Sequence, residues 1–193
     1  MAEYFPAFDG NGLMQPTGVD FQQNFFQLFG LPERYRLDNA QLDQKFHVLQ
    51  NQVHPDKFSH LSEAERRVSM QWATKVNEAY QTLRRPIGRA RYLLSLNGVD
   101  TQEETNTAMP AEFLMQQMEG REAIEEALRA RDAAEMAGLE TRMQHEMHEL
   151  EIQLAVKIDG RRDYPAAAGD VRKLKFMEKL AEEIASAFDA LDN

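Results

Sequence analysis

Three groups of side chains in this 193-residue sequence have types and spacings suited to chemistry. His54-Pro55-Asp56 sets an imidazole and a carboxylate side by side. A hydrolase built on that pair would also need a nucleophile held by the imidazole and an oxyanion hole, and adjacency in sequence supplies neither. His145 and His148 lie three apart, with Glu149 and Glu151 nearby, a combination that can ligate a metal. The inward-facing Glu-x-x-His pairs of di-iron bundles are absent, so solvated surface histidines are the expectation. Met115, Met118, Glu122 and Glu126 follow at spacings of three, four and four, with Leu114 and Glu119 on the borders. Met and Leu on one helical stripe read as core. Carboxylates continuing the stripe speak against burial, and a half-apolar, half-acidic stripe also suits a partner surface. There is no G-x-S-x-G, no P-loop and no Rossmann fingerprint.

The elements that must position these groups are helical. Pro55-Asp56 cannot continue a helix, so the tripeptide forms a loop between two helices. Upstream, Leu42, Phe46, Leu49 and Val53 share one helical face, with Asp38 or Asn39 as N-cap. Downstream, Val68, Trp72, Val76, Ala79, Tyr80 and Leu83 repeat the pattern, and Ser62-Glu63-Ala64-Glu65 opens that helix as a capping box. Phe25 to Pro32 is a short apolar run closed by Gly30 and Pro32. Pro86 starts a connecting helix over 86–97, stopped by Asn97-Gly98. A polar link spans 100–109, and Pro110 suits the first turn of the next helix. That helix runs to about Arg131. The next carries Met136, Leu139, Met143, Met147, Leu150 and Leu154 on one stripe. Gly160 and Pro165 break the chain, and the last helix carries Val171, Leu174, Met177, Ala181, Ile184, Phe188 and Leu191. No segment alternates as a strand. The reading is all-α: residues 1–20 a flexible extension, 21–97 a helical hairpin with its connecting helix, and 98–193 an antiparallel three-helix bundle.

Composition narrows the function classes. The absence of cysteine excludes disulfides and thiolate metal sites. No apolar run approaches the roughly 18 residues of a membrane span, so no membrane partner is expected. Residues 1–20 hold Glu3, Asp9 and Asp20 but no Lys or Arg, unlike a secretory signal or a mitochondrial presequence. A bacterial cytoplasmic protein fits. The net charge of −10 is uneven: residues 1–99 hold 11 Lys and Arg against 10 Asp and Glu (+1), and residues 100–193 hold 11 against 22 (−11). Nucleic acid is not expected as a partner, since phosphate binding needs a net positive surface. The acidic half is either a solvated face or a surface for a basic partner.

The short helix, the hairpin around His54-Pro55-Asp56 and the closing stretch Asn77-Glu78-Ala79-Tyr80-Gln81-Thr82-Leu83 resemble a J-domain over roughly residues 21–85. LFGLPERY (28–35), HPDKF (54–58), VNEAYQTLRRP (76–86), RARYLLSLNG (89–98), FLMQQMEGRE (113–122) and VRKLKFMEKL (171–180) extend the likeness, in order and spacing, to the HscB family of J-domain co-chaperones in iron–sulfur cluster assembly. Some eukaryotic members carry a cysteine-rich N-terminal metal site, which this chain cannot form. The resemblance implies no catalytic residue, cofactor or metal of its own. It implies two partners: a DnaK-type chaperone, HscA, and the scaffold protein IscU. In J-proteins the loop docks on the chaperone in its ATP state. Asp56 would pair with a partner arginine, His54 would hydrogen-bond the partner, Pro55 would fix the loop, and Lys57, Lys45, Arg34 and Arg36 would surround it. Asn51 and Gln52 stand where many relatives are basic, and residues 33–57 balance four basic against four acidic side chains, which weakens the expected electrostatic share. The scaffold would bind Leu114, Met115, Met118, Glu119, Glu122, Glu126 and Phe176; the family usually has Leu where this chain has Met118. The alternatives are a J-protein serving a different client, and a helical metal-dependent enzyme using the bundle histidines.

Overall fold

In the computed structural model, residues 7–8, 14–15, 21–53, 62–102 and 109–191 are described. They form seven α-helices: α1 (Phe25–Leu28), α2 (Asn39–Val53), α3 (Glu63–Arg84), α4 (Pro86–Leu96), α5 (Ala111–Ala130), α6 (Ala133–Ala155) and α7 (Tyr164–Leu191). A π-helical turn, Val156–Arg161, extends α6. The architecture is all-α, as the periodicities require. The exception among the described residues is a two-residue antiparallel pair, β1 (Ala7–Phe8) with β2 (Met14–Gln15), in the stretch read as a loose extension. Two residues are too few to show an alternation in sequence. No helix among the described residues is long and apolar enough to cross a membrane.

The chain divides into two compact units, Met1–Tyr92 and Leu93–Asn193, with the division inside α4. In the first, Asp38 caps α2, its Oδ1 accepting from the Ala40 N–H at 2.9 Å. Ser62 and Glu65 cap α3 reciprocally, as the sequence predicts. The hairpin is tied along its length. Tyr80 donates its O–H to Asp43 at 3.0 Å, Phe46 stacks on Tyr80 at 4.0 Å, and Arg84 pairs with Asp43 at 3.2 Å. At the loop end, Ser69 Oγ donates to the Val53 carbonyl at 2.9 Å in a buried position. Leu42, Val53, Trp72, Val76, Ala79 and Leu83 are the buried side of the two helices, with Phe26, Leu28, Phe29 and Leu31 buried from the short N-terminal run. Phe25 stacks on Tyr92 at 4.3 Å and donates its backbone N–H to the phenol oxygen at 2.9 Å. Burial pushes the Tyr92 hydroxyl above its ordinary pKa, against the lowering effect of that hydrogen bond.

The second unit is built around α5, α6 and α7. Gly98 (φ +74°) stops α4 where the sequence places the stop. Arg131, in the left-handed region, turns the chain between α5 and α6, and Asp132 caps α6 through the N–H groups of Ala134 and Glu135. Met136, Leu139, Met143, Met177, Leu180 and Ile184 meet Phe113, Ile124 and Ala127 in one core. Gly160 does not break the chain. It lies inside the π turn, and the corner comes at Arg162 (φ +54°). Pro165 falls in the first turn of α7, where its missing N–H costs no hydrogen bond. Lys157, in the π turn, pairs with the buried Asp170 of α7. Arg121 of α5 grips Glu183 of α7 at 3.0–3.2 Å.

Candidate functional site

Two surfaces carry the residues singled out from the sequence. The first belongs to the hairpin. His54, Pro55, Asp56 and Lys57 lie outside the described residues. What is described is how the chain enters and leaves them. Val53 enters from a buried position with its carbonyl held by Ser69, and Ser62 leaves as the N-cap of α3. Lys45 Nζ donates to the Gly30 carbonyl at 3.0 Å, one of its three N–H bonds. Gly30 sits at φ +56°, which favours glycine, and a Cβ there would come to 3.4 Å from Lys45 Nζ. Arg34 and Arg36 are exposed.

The second surface is on α5. Leu114 is 38% exposed, Met115 61% and Met118 60%. Glu119, Glu122 and Glu126 are exposed beside them. The stripe is therefore a surface, and the core of α5 is the opposite face, Phe113, Gln117, Ile124 and Ala127. Two unbranched thioethers in solvent with three carboxylates alongside provide adaptable apolar contact next to negative charge. Phe176 differs from the others. It is half-buried on α7, packs against the bundle core and meets Phe113 edge-on at 6.3 Å. It is part wall and part surface, packed against the core at its Phe113 edge while the rest of the ring reaches solvent.

His145 and His148 are exposed on α6. Among the described residues no group of three or more His, Asp and Glu is placed to hold a metal ion. Sequence reasoning missed Gln117, a buried amide at a core position of α5. Its signal was legible in the spacing: Phe113, Gln117, Ile124 and Ala127 fall on one face, with a polar residue where an apolar one belongs. It also missed Ser69, whose side-chain bond to Val53 joins residues sixteen apart and leaves no local pattern.

The bundle matches a family model described as the HSCB C-terminal oligomerisation domain, over residues 109–185. A protein of Aromatoleum aromaticum named co-chaperone protein HscB homolog is 53% identical over 174 residues, covering 90% of this chain and 98% of its own. One of the same name from Chromobacterium violaceum is 52% identical over 172 residues, covering 89% and 97%. Among solved structures, the chaperone HscB from Vibrio cholerae aligns with TM-score 0.78 at 38% identity, covering 88% of this chain and 99% of that one. The human co-chaperone protein HscB aligns with TM-score 0.84 at 28% identity, covering 96% and 90%.

Proposed function

The chain belongs to the HscB co-chaperone family, and from that premise we propose that it serves iron–sulfur cluster assembly by joining two proteins: a DnaK-type chaperone of the HscA kind at the hairpin, and an IscU-type scaffold at the bundle. The setting is the bacterial cytoplasm. The chemistry is the chaperone's; this chain supplies no catalytic group. His54, Pro55 and Asp56 engage the chaperone in its ATP state, with Asp56 accepting a charge-assisted bond from a partner arginine. Lys57, Arg34 and Arg36 steer the approach, while Lys45 holds the α1–α2 turn in place through Gly30. Docking that favours one of two chaperone states shifts the chaperone toward hydrolysis and closure on its client by that difference in binding alone. The scaffold lies across Leu114, Met115 and Met118, rimmed by Glu119, Glu122 and Glu126 and reaching Phe176.

One observation carries the reading: two methionines about 60% exposed beside a line of carboxylates, on the helix whose other face is core. A helix does not leave such side chains in water without cost, and a partner surface accounts for them. Titration of the protein into the ATPase of an HscA-type chaperone, with and without IscU-type scaffold, tests both halves. His54→Gln is expected to abolish stimulation in either case with the fold intact. Wild-type stimulation by that variant would overturn the hairpin assignment. Stimulation that scaffold does not enhance would favour a different client.

A further inference from the structure

We infer that the groove between α5, α6 and α7 beside Glu119 is an anchoring pocket for an arginine side chain of the protein bound on α5. This rests on the scaffold reading for the identity of the partner, but the pocket itself stands on separate observations. The cavity measures about 270 Å³. Its walls are Ile124, Leu139, Met143, Leu180 and Ile184, all buried members of the bundle core. Gly120 lines it too. A Cβ at Gly120 would lie 3.0 Å from Leu180 Cδ2, so any side chain there would press into the wall.

The polar groups are few, and carboxylates outnumber the one cation. Gln117 lines the cavity, is 4% exposed, and its Oε1 has no hydrogen-bond partner within the protein. A buried acceptor without a donor within the fold is satisfied by an ordered water or by a donor from a bound molecule, and Gln117 lines the cavity where either can reach. At the mouth stand Glu119, Glu146 and Arg142. The Arg142 guanidinium is already paired with Glu135 at 2.8 Å, so the two carboxylates are the groups at the mouth open to a further cation. The occupant therefore has an apolar stem, an N–H donor deep in the cavity and a positive charge near its end. The volume lies below the roughly 300–1,000 Å³ of small-molecule sites and suits one extended side chain. Arginine meets all three demands: its stem is apolar, its guanidinium carries N–H donors on several edges, and its charge suits a carboxylate-lined mouth. Glu119 belongs both to the exposed stripe and to the mouth, so a protein lying along the stripe has the cavity at its edge.

The test uses the full chain, ¹⁵N-labelled, titrated with N-acetyl-arginine amide as probe and N-acetyl-leucine amide as control. The arginine probe is expected to give saturable shifts at the Gly120 backbone amide and the Gln117 side-chain amide, and the leucine probe none. Gln117→Leu keeps the shape and removes the acceptor; Glu146→Lys changes only an exposed charge at the mouth. Each is expected to weaken probe binding, and each to lower scaffold affinity roughly tenfold, the scale of one charge-assisted hydrogen bond. Gln117→Leu is expected to leave the melting temperature unchanged or raise it, a response that a purely structural glutamine would not give. No saturable shift with the arginine probe overturns the pocket. Probe binding with scaffold affinity unchanged in both variants, while Leu114→Ala weakens it, overturns the arginine anchor and leaves the stripe reading intact. Loss in Gln117→Leu and Glu146→Lys but not in Leu114→Ala upholds the pocket and overturns the stripe.

Discussion

At the scale of single residues, the exposed stripe separates binding from stability. Met118 is 60% exposed, so its truncation removes contact with a partner and little else, while Leu114, 38% exposed, also loses some packing within the fold. Leu114→Ala with Met118→Ala is expected to cut scaffold affinity at least about a hundredfold, since apolar anchors cost about 2 kcal/mol or more each and 1.4 kcal/mol is tenfold. The melting temperature should hold for Met118→Ala, because surface changes usually stay within about 0.5 kcal/mol, and fall only slightly when Leu114→Ala is added. Phe176→Ala is the contrast. Its ring is half-buried against Phe113, so the loss is expected in both measurements, at about 1–2 kcal/mol of stability, a fraction of the fully buried case. Calorimetric binding and thermal unfolding on the same variants check both. Equal stability loss across the three would mean that the stripe is core. The sequence gives the stripe's periodicity but not this distinction, because a phenylalanine at helical spacing looks the same whether it faces a seam or the solvent beside it.

At the scale of elements, the legible features are those whose cause is local. The Ser62–Glu65 capping box, the Gly98 stop and the Asp38 cap follow from side chains within four residues of the backbone groups they serve. The π turn at Val156–Arg161 does not. It inserts a residue to bring Lys157 onto Asp170, thirteen positions on, and a periodicity search sees only a helix that ends near Gly160. The Ser69–Val53 bond is likewise set by the packing of α2 on α3. Val53 is the last described residue of α2, and the Ser69 hydroxyl supplies a donor to its carbonyl. Ser69→Ala is expected to cost about 1–3 kcal/mol in urea unfolding of the full chain. Because Val53 immediately precedes His54, the same variant should raise the concentration needed for half-maximal chaperone stimulation while the maximum holds. Unchanged stability and unchanged half-maximal concentration would mean that the bond does not secure the loop.

At the scale of the whole molecule, the division into two units and the charge split fall close together in sequence. Residues 1–99 carry +1 and residues 100–193 carry −11, while the compact units meet at Tyr92 and Leu93. The charge split is readable by counting, and Pro86 with Asn97-Gly98 places the sequence-based division at 97/98, five residues beyond the division between the compact units. That the boundary cuts α4 itself is not readable, since a continuous helix has no punctuation at Tyr92. The fragment 21–97 is expected to stimulate the chaperone's ATPase yet gain nothing from added scaffold. Leu93 and Leu94 are buried in the full chain, so its solubility must be checked alongside. Equal scaffold enhancement from fragment and full chain would remove the bundle as the client site. Scaffold association with the full chain should slow as salt is added, because an acidic surface speeds encounter more than it holds the complex.

The two solvent-exposed thioethers on α5 also make that face a target for oxidants. In a chain without cysteine, peroxide meets methionine sulfur first, and Met115 and Met118 stand among the most exposed large apolar side chains described. Each sulfoxide turns an adaptable apolar contact into a polar, chiral one, and reductases reverse the change. Mild peroxide is therefore expected to abolish scaffold binding before chaperone stimulation, and methionine sulfoxide reductase to restore it; Met115→Leu with Met118→Leu should be insensitive. Scaffold delivery would then fall as oxidants rise, and recover without new protein once they are cleared.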